Sequence, residues 1–79
     1  MKVKIQITPK NGVLDPQGKA IQKSLLALGF DEVLNVRQGK YIEIDIKEQS
    51  IEQTRLNVEQ MCKKLLANTI IENYQIDLD

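Results

Sequence analysis

Val33-Leu34-Asn35-Val36-Arg37-Gln38-Gly39-Lys40-Tyr41-Ile42-Glu43-Ile44-Asp45-Ile46 is the stretch whose reading settles the order of strands and helices. In its second half Ile42, Ile44 and Ile46 alternate with Tyr41, Glu43, Asp45 and Lys47. A period of two marks a strand with one buried face. The charged face then meets water or a partner. The first half, residues 33–37, reads as another strand, and Gln38-Gly39 as the tight turn between them. Together they predict a hairpin.

Upstream, Val3, Ile5 and Ile7 alternate with Lys2, Lys4, Gln6 and Thr8, which predicts a strand that Pro9 ends. Asn11-Gly12 marks a turn. Asp15 is placed to cap a helix and Pro16 to occupy its first position. Ala20, Ile21, Leu25 and Leu28 share one helical face, and Gly29 stops the helix with Phe30 packing back over its last turn. Gly18 in the first turn is costly for a helix, and close approach of another backbone would explain it.

Downstream, Ser50 and Gln53 form an S-x-x-Q capping box at the start of a second helix. Ile51, Val58, Met61, Cys62, Leu65 and Leu66 are predicted on its inner face, with Asn68 and Thr69 at its end. Ile70, Tyr74, Ile76 and Leu78 read as a last strand. The order β-α-β-β-α-β is the split βαβ arrangement of ferredoxin-like α+β domains. It predicts one domain over residues 1–79: an antiparallel sheet with both helices on one face. The other face would carry Lys2, Lys4, Gln6, Glu43 and Asp45.

A chain of 79 residues buries a small core and is marginal alone. Small domains escape by disulfides, metals or self-association. Cys62 is the single cysteine and there is no histidine, so an oligomer is expected, with no metal site. One cysteine and no apolar leader point to the cytoplasm, and no run of residues is long enough for a membrane span. Net charge is zero, yet residues 1–40 hold seven basic and three acidic side chains and residues 41–79 four and eight. Two differently solvated edges of one sheet would account for it, and so would orientation of a subunit.

Catalytic chemistry finds no candidates. Without histidine the usual proton carrier near neutral pH is missing. Cys62 lies on the apolar stripe beside Met61 and Leu65 and reads as a small buried hydrophobe. Glu43 with Asp45, and Glu48 with Glu52, read as solvated charges rather than a cleft pair. Gly12 and Gly18 match no phosphate-binding motif. An RNA-binding module shares this strand order but needs stacking aromatics on its sheet, where Tyr41 stands alone among acidic neighbours. A small-ligand regulatory module of the same topology is the other alternative. The residues by themselves support a small α+β interaction module.

Five segments carry a more specific likeness. Lys10-Asn11-Gly12-Val13-Leu14-Asp15-Pro16-Gln17-Gly18, Leu28-Gly29-Phe30, Val36-Arg37-Gln38-Gly39-Lys40, Met61 to Asn68 and Ile71-Glu72-Asn73-Tyr74 together resemble the PurS family, the small subunit of phosphoribosylformylglycinamidine (FGAM) synthase. Thr69 departs from the family's usual proline after Ala-Asn, and Pro9-Lys10 from its Leu-Lys pair. The resemblance implies a non-catalytic subunit with no active site, cofactor or metal of its own. Such subunits dock a glutaminase subunit to a synthetase subunit and support ammonia transfer. The complex uses ATP, magnesium and glutamine in purine biosynthesis. The resemblance also implies a homodimer or a tetramer of dimers, with neither nucleic acid nor membrane as partner. Partner contacts are expected at Lys10, Gly12, Asp15, Pro16, Gly18, Arg37, Gly39, Lys40 and Asn68.

Overall fold

A computed structural model describes residues 1–78; Asp79, the last residue of the predicted domain, lies outside them. The order is β1 (Lys2–Pro9), α1 (Pro16–Ala27), β2 (Lys40–Asp45), α2 (Ile51–Met61), a π-helical turn (Cys62–Leu66) and β3 (Glu72–Leu78). The strands form one antiparallel sheet in the order β2-β1-β3. β2 and β3 are therefore its edges, each paired on one side.

The period-two pattern of β1 does what its chemistry requires. Val3, Ile5 and Ile7 are fully buried at the centre of the sheet. Ile5 stands opposite Ile42 on β2 and Ile76 on β3, and Val3 stands opposite Ile44 and Leu78. Helix α2 lies over the β3 side and adds Thr54 and Val58, while the turn after it adds Cys62 and the chain beyond it Ala67. Each fully buried aliphatic side chain contributes about 1.5–3 kcal/mol. Thr54 joins this core because its hydroxyl donates to the Ser50 carbonyl at 2.9 Å, which satisfies the polar group.

The opposite sheet face is polar. Lys2 stands opposite Asp45, and Lys4 lies between Glu43 and Asp77. The basic first half of the chain and its acidic second half thus interleave strand by strand. Pairing of opposite charges across neighbouring strands favours this register.

The local capping signals are realised. Asp15 Oδ1 accepts from the Gly18 N–H at 2.9 Å, and Pro16 begins α1. Gly29 has φ +97°, and the Gly29 and Phe30 N–H groups donate to the Leu26 and Leu25 carbonyls. Those bonds form a Schellman motif. Ser50 Oγ accepts from the Gln53 N–H at 3.1 Å, but the Gln53 side chain turns to Asn57 instead of closing the box.

Three expectations are corrected. Residues 33–37 form no strand, so the sheet has three strands and the order is β-α-β-α-β. A two-residue hairpin turn needs positive φ, and neither Gln38 nor Gly39 has it. Gly39 is instead the point where the chain slides against β1: a Cβ there would strike the Ile7 carbonyl. Residues 33–37 run beside α1, where the Leu34 carbonyl accepts from the Gln22 side chain.

The second correction concerns α1, which does not cover the sheet. Its one buried residue is Gly18, and none of its side chains joins the core. Ile21 and Leu26 are about two-fifths exposed and Leu28 is 73% exposed. The molecule measures 49 × 24 × 15 Å with a radius of gyration of 16.0 Å. A compact domain of this length would have about 12 Å. Helix α1 and residues 28–37 form an arm extending from the body.

The third correction is on α2. Val58 and Cys62 face inward as predicted, but Ile51 and Leu65 point to solvent and Met61 is more than a third exposed. The Ala67 N–H reaches back five residues to the Cys62 carbonyl at 2.9 Å. That π turn breaks the 3.6-residue period and rotates Leu65 outward. Cys62 is buried, and burial pushes its thiol pKa up, with Glu59 adding to the effect. A thiol held protonated is a poor nucleophile.

Candidate assembly surface

The root of the arm gathers most of the predicted contact residues. The first loop turns at Lys10–Val13, where the Val13 N–H donates to the Lys10 carbonyl at 3.2 Å and Gly12 has φ +83°. A type II turn needs that conformation at its third residue. The chain then enters α1 at Asp15-Pro16 and returns at Val36-Arg37-Gln38.

One carboxylate joins the outgoing and returning segments of the arm. Besides capping Gly18, Asp15 accepts from the Gln38 N–H through Oδ2 at 2.8 Å. Arg37 Nε lies 3.9 Å from the same oxygen. The Arg37 guanidinium also reaches the first loop, donating to the Pro9 carbonyl at 3.1 Å and the Lys10 carbonyl at 2.8 Å. Gly18 is required here, because a Cβ would collide with the Asp15 carboxylate and the Val36 carbonyl. The close backbone approach anticipated for Gly18 is therefore present.

The Gln38 and Gly18 N–H groups hold the Asp15 carboxyl below the usual carboxylate range, and Arg37 and Lys19 add smaller effects in the same direction. A carboxyl whose pKa is lower folded than unfolded stabilises the fold when ionised. That contribution is complete above about pH 4, the ordinary unfolded value, and is lost as pH falls through the folded value. Between those limits wild type is expected to lose more stability than Asp15→Asn. Urea unfolding at pH 7 and below pH 3 measures the difference. Equal losses would show that the carboxylate carries no such role.

Lys40 and Asn68 sit beside this root and are linked through Glu72, which sequence reasoning missed. Glu72 Oε1 accepts from the Asn68 N–H at 2.8 Å, and Oε2 lies 3.8 Å from Lys40 Nζ. Asn68 Oδ1 accepts from the Ile70 N–H, so its side chain shapes the turn into β3. Asp15 and Glu72 both line an open groove of about 350 Å³ that also includes Val13, Leu14 and Gln38.

The predicted residues therefore converge on one end of the sheet, but most of their polar groups are engaged within the chain. Leu14 offers what they do not: its side chain is 78% exposed at the apex of the loop. Leu65 and Ile70 are more than four-fifths exposed. Single exposed apolar residues are ordinary, and of these three only Leu14 lines the groove at the root. Among the described residues no group of acidic or cysteine side chains is arranged to hold a metal, and no helix is long and apolar enough to cross a membrane.

The antiparallel sheet and its single covering helix define a small α+β protein of the ferredoxin-like class. A family model described as PurS, phosphoribosylformylglycinamidine (FGAM) synthase, matches residues 2–79. The chain is 46% identical over 78 residues to the PurS subunit of that synthase from Bacillus subtilis, covering 99% of this chain and 92% of the relative. The crystal structure of B. subtilis PurS superposes with a TM-score of 0.89, covering 99% of this chain and 96% of that one. PurS from Methanocaldococcus jannaschii, described as a subunit of formylglycinamide ribonucleotide amidotransferase in the purine biosynthetic pathway, gives 0.86 at 45% identity, covering 99% and 94%. A chain in the PurLQS structure from Thermotoga maritima gives 0.86 at 28% identity, covering 96% and 93%. This chain belongs to the PurS family.

Proposed function

We propose that this chain is an assembly subunit of FGAM synthase, acting in the cytoplasm in purine biosynthesis. It docks the glutaminase subunit against the synthetase subunit and supports transfer of ammonia between them. The observation that carries this reading is the whole-chain relation to PurS proteins, together with the superposition of this chain on a chain of PurLQS. The complex uses ATP, magnesium and glutamine, and this subunit binds none of them. Its contribution is geometric. Holding two active sites in fixed register raises the effective concentration of a transferred intermediate without adding a chemical step. A root whose hydrogen bonds are already closed loses little entropy on docking.

The same reading includes self-association. Ile42, Ile44 and Ile46 on the β2 side are only half-buried, as are Tyr74, Ile76 and Leu78 on β3, and α2 makes its sheet contacts at β3 and leaves β2 without a helix over it. The apolar side of α1 is itself only partly covered, with Leu28 73% exposed and Ile21 40%. The twelve residues of α1 give about 18 Å of helix. The six of β2 give about 20 Å of strand. Two copies related by a two-fold axis would each lay α1 over the other's β2, which covers both surfaces at once. This dimer is the unit that docks, alone or paired into a tetramer.

The role is tested by mixing the glutaminase and synthetase subunits with and without this chain. Glutamine-dependent product formation is expected to require it, while formation from free ammonium salts proceeds without it. Equally fast glutamine-dependent synthesis in its absence would remove the assembly role.

A further inference from the structure

The arm leaves the body after Lys10 and returns at Gln38, and both ends are tied at one place. Asp15 is the centre of the tie, receiving one N–H from the start of α1 and one from the returning chain. Arg37 spans from the returning chain to the Pro9 and Lys10 carbonyls at the end of β1. The Gln38 side chain adds a bond to Gln17 in the first turn of α1. An N-terminal cap needs only the first of these bonds. The others cross between segments more than twenty residues apart, and they act on the angle between arm and body.

We propose that the Asp15–Arg37 crosslink locks the root of the arm, holding α1 clear of its own sheet and aiming its apolar side at a second copy of this chain. Without the lock, residues 10–15 and 37–39 act as a hinge. The helix can then fall back over its own half-covered β2, where Ile42 and Ile44 would receive it. Asp15 and Arg37 are positioning residues in this scheme: they favour the two-chain arrangement without lying at the contact. A preorganised arm loses less freedom on association than a swinging one. The inference rests on the dimer described above.

Asp15→Ser separates the lock from the cap. Serine still caps the Gly18 N–H nearly as well as aspartate, but it is too short and uncharged to bridge to Gln38 and Arg37. Arg37→Gln leaves the cap untouched and removes the tie to the first loop, and it carries the test if the serine variant does not fold. Two measurements apply. Single-molecule energy transfer is read at picomolar concentration, with dyes on Asp31→Cys and Gln75→Cys in a Cys62→Ser background. It reports the arm angle within one chain. Sedimentation across a concentration series reports dimer affinity.

Wild type is expected to give one narrow distance distribution. Both variants are expected to broaden it toward shorter distances and to weaken the dimer about tenfold, equivalent to ~1.4 kcal/mol. The lock is overturned if either folded variant keeps the wild-type distribution and affinity, or if wild type is already as broad as the variants. A wild-type chain that stays monomeric at every concentration removes the dimer reading instead, while the energy-transfer arm still decides whether the root is rigid.

Discussion

Leu28→Asp is expected to leave the chain folded but monomeric and unable to support glutamine-dependent synthesis in the reconstituted complex. The Leu28 side chain is 73% exposed at the end of α1, so a carboxylate there meets water in the isolated chain and costs little. In a two-fold dimer that lays α1 over a neighbouring sheet, the same position becomes apolar and enclosed. A carboxylate buried without a partner is heavily penalised. Symmetry places the substitution in the interface twice. A loss on the order of a hundredfold in dimer affinity, ~3 kcal/mol, is a conservative expectation. Sedimentation and the coupled glutamine assay read both consequences. A dimer of unchanged affinity would show that this face of α1 is not the contact.

Ile5→Ala tests the other half of the molecule. Ile5 is fully buried at the middle of the central strand, with Ile42 and Ile76 opposite it. Removing its branched side chain leaves a cavity bounded by three strands and α2, which cannot close without shifting the sheet. Such changes cost about 2–5 kcal/mol. A chain of this length has about 4–12 kcal/mol in total. The variant is expected to lose a large part of its stability, seen as a lower urea midpoint with an unchanged slope. A change below about 1 kcal/mol would mean that Ile5 is not central to the core, since even Ile→Val substitutions often cost that much.

The contrast between these variants also explains what the sequence made legible. Features governed by a few adjacent residues were readable. Alternation along β1 and β2 depends on near neighbours, as do the Asp15 and Ser50 caps, the left-handed Gly29 and the Asn11-Gly12 turn. Residues 33–37 were misread because strand formation needs a partner strand, and these residues instead lie against α1. The composition of a segment does not say what it will pair with. Leu65 was misread for a different reason. One π turn shifts the helical phase, and nothing in Cys62-Lys63-Lys64-Leu65-Leu66 announces it.

For the predicted contact residues, their clustering was legible and the bonds that they make within the chain were not. Lys10, Gly12, Asp15, Pro16, Gly18, Arg37 and Gly39 do gather at one end of the sheet, with Lys40 and Asn68 beside them through Glu72. Their polar groups mostly serve the chain itself: Gly18 and Gly39 let backbones approach, and Asp15 and Arg37 tie the root. Leu14 and Glu72 lie in segments that carry the resemblance but were not expected as contact residues, because an isolated leucine in a loop and a glutamate at a strand start carry no pattern of their own.

The two unpaired margins of the sheet bear on how the chain must be produced. Among the described residues, β2 and β3 each present an outer row of backbone donors and acceptors with no neighbouring strand. Such rows template the growth of foreign strands. Lys40, Glu43 and Asp45 on one margin and Glu72 and Asp77 on the other supply the charges that discourage stacking of identical chains. Copies made in excess of their mates would depend on those few side chains alone to stay out of aggregates, so balanced synthesis of all members of the assembly is itself a safeguard for this one.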